Sequence, residues 1–351
     1  VCASVNFYST FDPGTPAVVL AEGAFGTPSG KTAHGVVMHG ELFDARVVVD
    51  STRAGTTADA VLGREGVPDV PVVDSIRSAL DYAPEAEALV IGVAPAGGEL
   101  PESWVADIEY AIREGCDVIS GLHMFLSDHE EWSEFASECG VELFDVRKPP
   151  AEADLRVADG RSEDIAADVV VTMGTDCAVG KRTTTVELYQ AARSAGLDAG
   201  WVATGQTGIM IGAQRGVVID RVPADFTAGV VEDLVCSVAD AHEIVFVEGQ
   251  AALTHPAYAG VTISILHGAH PDAVVLADDP DRTGRTHFDR FSVAGVERER
   301  RAIEAVSDAT VTALSTWGDP DTESDRHGLP AANTYHEGGT ERLLKAVRSV
   351  L

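Results

Sequence analysis

Lysine is nearly missing from this sequence. Four occur in 351 residues, Lys31, Lys148, Lys181 and Lys345, and arginine supplies the rest of the basic side chains. With 56 acidic residues against 25 basic ones the formal charge is −31. Charge of that size repels nucleic acid and anionic membranes at long range, so neither is expected as a partner. A lysine-poor, strongly acidic chain that is still 45% apolar reads as a halophilic one, because salt screens most of the self-repulsion. No apolar run approaches the ~20 residues of a membrane span, and no basic-then-apolar leader is visible, so the expected location is cytoplasmic. Five cysteines (Cys2, Cys116, Cys139, Cys177, Cys236) include no C-x-x-C pair. That pattern points to a reducing compartment and away from a zinc site or a disulfide framework.

What is present is a phosphate-binding pattern. The β-branched run Val169-Val170-Val171 leads into Gly174, Thr175, Asp176, Cys177, Ala178, Val179, Gly180, Lys181, Arg182 and Thr183, where a helical pattern starts. A strand fixes such a loop, glycines let main-chain N–H groups turn inward, and the helix N-terminus adds its positive dipole end. Lysine supplies a point charge and threonine a hydroxyl for a metal ion. The spacing departs from G-x-x-x-x-G-K-[ST]: five residues separate Gly174 from Gly180, and Arg182 separates Lys181 from Thr183. Of the four lysines, Lys31 and Lys181 both stand in Gly-Lys-Thr-like contexts and are the best candidates for chemistry.

The length suggests about two domains, and the strand and helix patterns agree. Strands are expected at Ala17–Ala21, Arg46–Val49, Ala88–Val93, Asp117–Ser120 and Val141–Phe144, with helices at Ser75–Asp81, Pro101–Arg113 and Glu130–Cys139. The Pro149-Pro150 region breaks both patterns and reads as a linker. Alternation then resumes from strand Asp168–Met173 and helix Lys181–Ala195 to a terminal helix near Thr340–Val350, with Asp278–Asp289 read as a polar surface loop. The fold expected is α/β, with mostly parallel sheets: a Rossmann-like domain over residues 1–150 and a P-loop NTPase-like domain over 151–351.

Ligands of open α/β sheets sit beyond the carboxyl ends of the strands. In the second half those ends carry Glu248, after an apolar strand, and Thr204-Gly205-Gln206-Thr207-Gly208. Glu248 could hold Mg²⁺ or orient a nucleophile; Asp176 could join a metal or only bond within its loop. His255 and His267 flank a segment expected near this edge, and either imidazole could deprotonate an attacking amine. In the first half Lys31, Thr32, Arg53 and His123 follow strands and suggest a second ligand-facing edge, although Gly26 and Gly30 do not make a normal phosphate loop there.

Gly174-Thr175-Asp176 with Gly180-Lys181 resembles the phosphate loop of dethiobiotin synthetase and its relatives. The whole chain resembles more closely the D-glutamate N-acetyltransferase-like family, first catalogued as a domain of unknown function. The matching stretches are Lys31–Gly35, Ser120–His123, Gly174–Thr183, Gly205–Gly208, Val247–Gln250, Leu253–Thr262 and Leu266–Gly268. The resemblance implies a Rossmann-like domain joined to a P-loop domain, and transfer of acetyl from acetyl-CoA to the amine of a D-amino acid. It further implies a phosphate and metal site at Lys181, Thr183, Asp176 and Glu248, with His255 and His267 as catalytic residues facing substrate. Lys31, Thr32, Arg53, His123, Gln206 and Thr207 are the candidate substrate residues, and the partners expected are a small amino-acid substrate and further copies of the chain in a homo-oligomer. The P-loop taken alone favours an alternative, an ATP- and Mg²⁺-dependent carboxylate–amine ligase or kinase. A non-catalytic nucleotide sensor is a third reading.

Overall fold

The computed structural model describes residues 6–351, apart from Glu65, Ala94, Ala96, Gly97, Glu99 and His287 and the side chain of Asp289. Cys2 falls outside the described residues. The chain divides into two compact units, residues 5–149 with 206–213, and residues 150–205 with 214–351.

The first unit is built on a parallel sheet of β1 (Thr15–Leu20), β2 (Phe43–Val49), β3 (Val72–Val73), β4 (Ala88–Ile91), β5 (Asp117–Ser120) and β6 (Leu143–Asp145). Its strand order is β3-β2-β1-β4-β5-β6, the doubly wound order of Rossmann folds. The helices are α1 (Lys31–His39), α2 (Ala58–Leu62), α3 (Ile76–Tyr82), α4 (Glu102–Arg113) and α5 (Glu130–Cys139). Local pattern does not reveal α1, because Gly35 and two valines give it weak propensity. Packing makes it: Thr32, Ala33, Val36 and Val37 are buried, and a Cβ on Gly92 would lie 2.7 Å from that of Ala33.

The second unit carries β7 (Asp168–Gly174), α6 (Lys181–Ser194) and β8 (Ala199–Ala203). The chain then forms α7 (Gln206–Ile211), whose contacts belong to the first unit, before β9 (Arg215–Gly216), α8 (Thr227–Ala239), β10 (Ile244–Glu248) and α9 (Ala259–Ala269). Next come β11 (Ala273–Asp278), β12 (Gly284–Arg285), β13 (Phe288–Ser292), α10 (Val296–Val306), β14 (Thr310–Thr316), α11 (Pro320–His327), β15 (Ala331–Ala332) and α12 (Gly339–Val347). The parallel sheet runs β15-β14-β11-β7-β10-β8-β9, with β7 central, and β12-β13 is an antiparallel pair. Alternation along β7 puts Val169, Val171 and Met173 into one core with Val245, Val247, Val274 and Leu276 and with Val230, Leu234, Ile265 and Leu266 of α8 and α9. Period 2 along each strand and period 3.6 along each helix produce that single apolar layer. No helix among the described residues is long and apolar enough to cross a membrane.

Two expectations about loops are corrected. Residues 204–208 are not all loop, because Gln206 opens α7. The tract 278–289 is not a plain surface loop either: Asp278 ends β11 buried, and Arg285 lies in β12 only 2% exposed. Its polar composition hides an ion-paired hairpin.

Candidate functional site

β7 is paired on both sides, with β10 and β11, so the loop at its carboxyl end has a rigid base. Thr175 N–H donates to Ala277 O (3.0 Å) and Thr175 Oγ1 to Asp278 Oδ1 (2.6 Å), pinning the loop to β11. Ala178 (φ 52°) and Gly180 (φ 99°) adopt left-handed backbone, which turns successive amides towards one point. Gly174 admits no side chain: a Cβ there would stand 2.9 Å from Lys181 Cδ and Val179 Cγ2. The helix α6 starts at Lys181 with no capping side chain at Gly180. Its first-turn N–H groups therefore keep their capacity for an anion.

Lys181 is buried, and its Nζ donates to Asp176 O (2.5 Å). Burial pulls its ammonium down to about 8, against the opposing pull of Cys177, Asp176 and Glu248. Glu248 ends β10, one strand over, 5% exposed. Burial pushes its carboxyl up to about 7, although Arg182, Lys181 and the N–H groups of Thr204 and Gly205 favour the charged form. Thr204 N–H donates to Glu248 Oε2 (3.2 Å), and Thr204 Oγ1 donates to Glu248 O (2.6 Å) while accepting from Gln250 Nε2 (3.0 Å). Thr183, also buried, lies in the first turn of α6. A basic and an acidic group, both moved towards neutrality, thus meet at this loop, an arrangement common at proton-transfer sites.

Asp176, a candidate metal ligand, is bonded to the β12-β13 hairpin. Its Oδ2 accepts from Thr286 N–H (3.0 Å) and Thr286 Oγ1 (3.1 Å), and its Oδ1 from Arg285 Nη1 (3.3 Å), with Arg282 Nη1 3.6 Å from Oδ2. Burial would raise its carboxyl, but the Thr286 and Cys177 N–H groups and Arg285 outweigh it and hold the carboxyl below its ordinary range. Asp176 is the anchor of the β12-β13 hairpin. Arg285 also donates to Thr175 O (2.9 Å), Thr254 O (3.0 Å) and Thr254 Oγ1 (2.7 Å), and Thr254 in turn donates to the buried Glu299. Arg282 reaches Cys177 O at 3.0 Å. Sequence reading missed Arg285, Thr286, Glu299 and Asp278; the one signal was the arginine and threonine content of a tract with no periodicity.

His255 is fully buried, stacked on Tyr258 (4.8 Å between centroids) and edge-on to Phe288 (5.4 Å). Its Nδ1 accepts from Ala257 N–H (3.2 Å), so the neutral ring carries its proton on Nε2, 3.8 Å from Asp176 Oδ1. Burial and then the Arg285 charge lower its pKa, which keeps it neutral. His255, a candidate base, thus lies beside the loop with its Nε2 making no hydrogen bond among the described residues. Asp176, Cys177 and His255 bring one ligand atom each within 4.8 Å of one another. Two guanidiniums also face that carboxylate, Arg285 Nη1 at 3.3 Å and Arg282 Nη1 at 3.6 Å, and would compete with a cation for its oxygens. His267 is exposed in the last turn of α9, five residues before Asp272 leads into β11. That is the amino edge of the sheet, the opposite edge from Gly174 and Glu248, so it does not join the loop.

The remaining candidates lie in the first unit. Thr32 and Thr207 share a buried hydrogen bond between hydroxyls (2.7 Å). Gln206 Oε1 accepts from Arg147 Nη1 (2.9 Å), and Gln206 lies against Gly121. His123 packs on Gly98 and donates its N–H to Gly98 O (2.8 Å). Lys31 is exposed at the start of α1, and Arg53 is exposed in the turn after β2. Helix α7 thus brings Thr32, Thr207 and Gln206 together, while Arg53 stands apart from them.

A family model described as a domain of unknown function with a P-loop fold, DUF1611_C, matches residues 156–344, and a Rossmann-like DUF1611_N model matches residues 51–149. The chain belongs to the DUF1611 family. A crystal structure of a DUF1611 family protein from Anabaena variabilis superposes with a TM-score of 0.86 at 29% identity, over 96% of this chain and 100% of that one. A D-glutamate N-acetyltransferase of Tritonibacter scottomollicae is 35% identical over 280 residues, 76% of this chain and 82% of its own length. A D-glutamate N-acetyltransferase of a Pseudoalteromonas species is 37% identical over 198 residues, 56% of this chain and 58% of its own. In this DUF1611 protein the Rossmann-like and P-loop halves expected from the sequence are both present.

Proposed function

We propose that this protein is an N-acetyltransferase that moves acetyl from acetyl-CoA to the amine of an amino acid, with D-glutamate as the acceptor to test first. The names of the two relatives support the reaction class and the acceptor. The observation that carries the chemistry is Glu248: a buried, readily protonated carboxyl beside a loop with an uncapped helix N-terminus and a buried lysine. Inward amides and Lys181 suit the diphosphate of coenzyme A. Acetyl-CoA would supply the thioester. Glu248 takes a proton from the acceptor's ammonium. The freed nitrogen bonds to the thioester carbonyl carbon, the carbon–sulfur bond breaks, and the departing thiolate takes up the second proton that the nitrogen sheds as it becomes the amide. Loop N–H groups and Lys181 oppose the negative charge that develops on the way.

Thr183 and Glu248 on either side of Lys181 favour a second reading, an ATP- and Mg²⁺-dependent ligase or kinase. In that reading Thr183 Oγ1 and Glu248 would be the protein groups nearest the cation, since Asp176 is spent on the hairpin. One assay separates them. The protein is incubated in high salt with D- or L-glutamate and either acetyl-CoA or Mg-ATP, and thiol and ADP are followed. Amino-acid-dependent thiol release supports the transferase. ATP turnover with no thiol from any amine at saturating acetyl-CoA rejects it.

A further inference from the structure

Trp317 stands out among the tryptophans. Trp104 and Trp201 are buried, whereas Trp317 is 46% exposed, and among the described residues no ring contact or hydrogen bond is recorded for its indole. Its location separates it from a stray surface aromatic. A Cβ placed on Gly180, the last loop residue before α6, would lie 3.1 Å from Trp317 Nε1. The indole therefore rests on the glycine that opens the anion-binding helix.

The backbone that presents the ring is held firmly. Trp317 N–H donates to Asp278 O (3.1 Å), and Gly318 N–H donates to Thr316 Oγ1 (3.0 Å). Gly318 is packed so closely that a Cβ would meet Pro280 Cγ at 2.6 Å. The end of β14 is tied to the first turn of α6 through the Ser315 and Thr184 hydroxyls (2.7 Å). On the hairpin side Arg285 and Arg282 hold the loop carbonyls of Thr175 and Cys177. On the β14 side Trp317 offers an exposed aromatic surface to whatever extends beyond a bound diphosphate.

We propose that Trp317 is the stacking platform for the adenine ring of an adenosine diphosphate moiety whose phosphates the 174–183 loop grips. The proposal rests on the phosphate-loop reading above but not on the choice of reaction, because coenzyme A and ATP share that moiety. Stacking on an indole face needs only a π-surface and adds affinity without hydrogen bonds to the base.

Calorimetric titrations at one salt concentration test it. Wild type, Trp317→Phe and Trp317→Ala are each titrated with acetyl-CoA, ADP and inorganic pyrophosphate, the last probing the loop alone. Trp317→Ala is expected to weaken the adenine-bearing ligand roughly 5- to 150-fold, with Trp317→Phe close to wild type and pyrophosphate unchanged. Preference of the wild type for acetyl-CoA or for ADP identifies the source of the moiety. Equal losses for pyrophosphate, or no loss for the adenine ligands, overturn the platform. Wild type that binds pyrophosphate but neither adenine ligand overturns the platform and leaves the loop standing. Wild type that binds none of the three removes the loop reading, and the platform falls with it.

Discussion

Replacing Glu248 by glutamine should stabilise the protein while disabling it. The carboxyl is 5% exposed, and burial raises it from 4.5 to about 7. The native state therefore holds a proton that the unfolded chain releases from about pH 4.5 upward. Stability from this group is complete in acid and falls as pH climbs through 7. At about 1.4 kcal/mol per pH unit the loss reaches about 3 kcal/mol. Glutamine keeps an oxygen for Thr204 N–H and cannot ionise, so Glu248→Gln escapes the loss. Its effect on Lys181 is secondary, since Cys177 and Asp176 support that ammonium more strongly than Glu248 does. Urea titrations from pH 5 to 9 at fixed salt should show the two proteins converging in acid and diverging by up to about 3 kcal/mol at pH 8. In the same variant acetyl transfer should fall about 10²- to 10⁴-fold, while wild-type kcat/KM rises with pH through about 7 as Glu248 ionises and falls again above about 8 as Lys181 loses its proton. Parallel stability curves across the whole range would refute the argument, because Glu248 would then be no more costly to ionise inside the protein than outside.

Two further substitutions probe the supports of each unit. Arg285→Met leaves the Asp176 carboxylate buried without its nearest guanidinium and should cost about 3–5 kcal/mol, read as a lower unfolding midpoint; adding Asp176→Asn should recover much of it, and failure to recover would mean that the pair is not the source. Thr32→Val orphans the buried Thr207 hydroxyl and should cost about 1–3 kcal/mol, whereas Thr32→Ser should be close to neutral in the same denaturation assay.

The phosphate loop was legible because its signal is local: a β-branched run, bounding glycines and a lysine at a helix start lie within fifteen residues. Glu248 was legible for the same kind of reason, as the polar end of an apolar strand. What was hidden depends on contacts between distant segments. Arg285 meets Asp176 across 109 positions, and no periodicity in Asp278–Asp289 announces that its arginines point inward. Helix α1 was missed because its stability comes from Gly92 and neighbouring packing rather than from its own propensity. His267 was misplaced by treating sequence proximity to Glu248 as spatial proximity, when α9 carries it along the sheet to the opposite edge.

The scarcity of lysine acquires a physical meaning at this site. Lys31 and Lys345 are exposed and Lys148 is about half exposed, whereas Lys181 is buried. Burial lowers its ammonium to about 8, a shift that arginine, charged at any working pH, cannot make. Arginine does the reverse work in the hairpin, where Arg285 must stay charged and distribute several donors among Asp176, Thr175 and Thr254. A planar fork suits that task, and a compact, adjustable charge suits the loop. The two cations are therefore divided by chemistry: arginine where charge must be permanent, lysine where a bound anion must be able to restore it. On this argument Lys181→Arg should not rescue the loop as a conservative change would. The larger guanidinium must be buried where the Lys181 ammonium is held against Asp176 O.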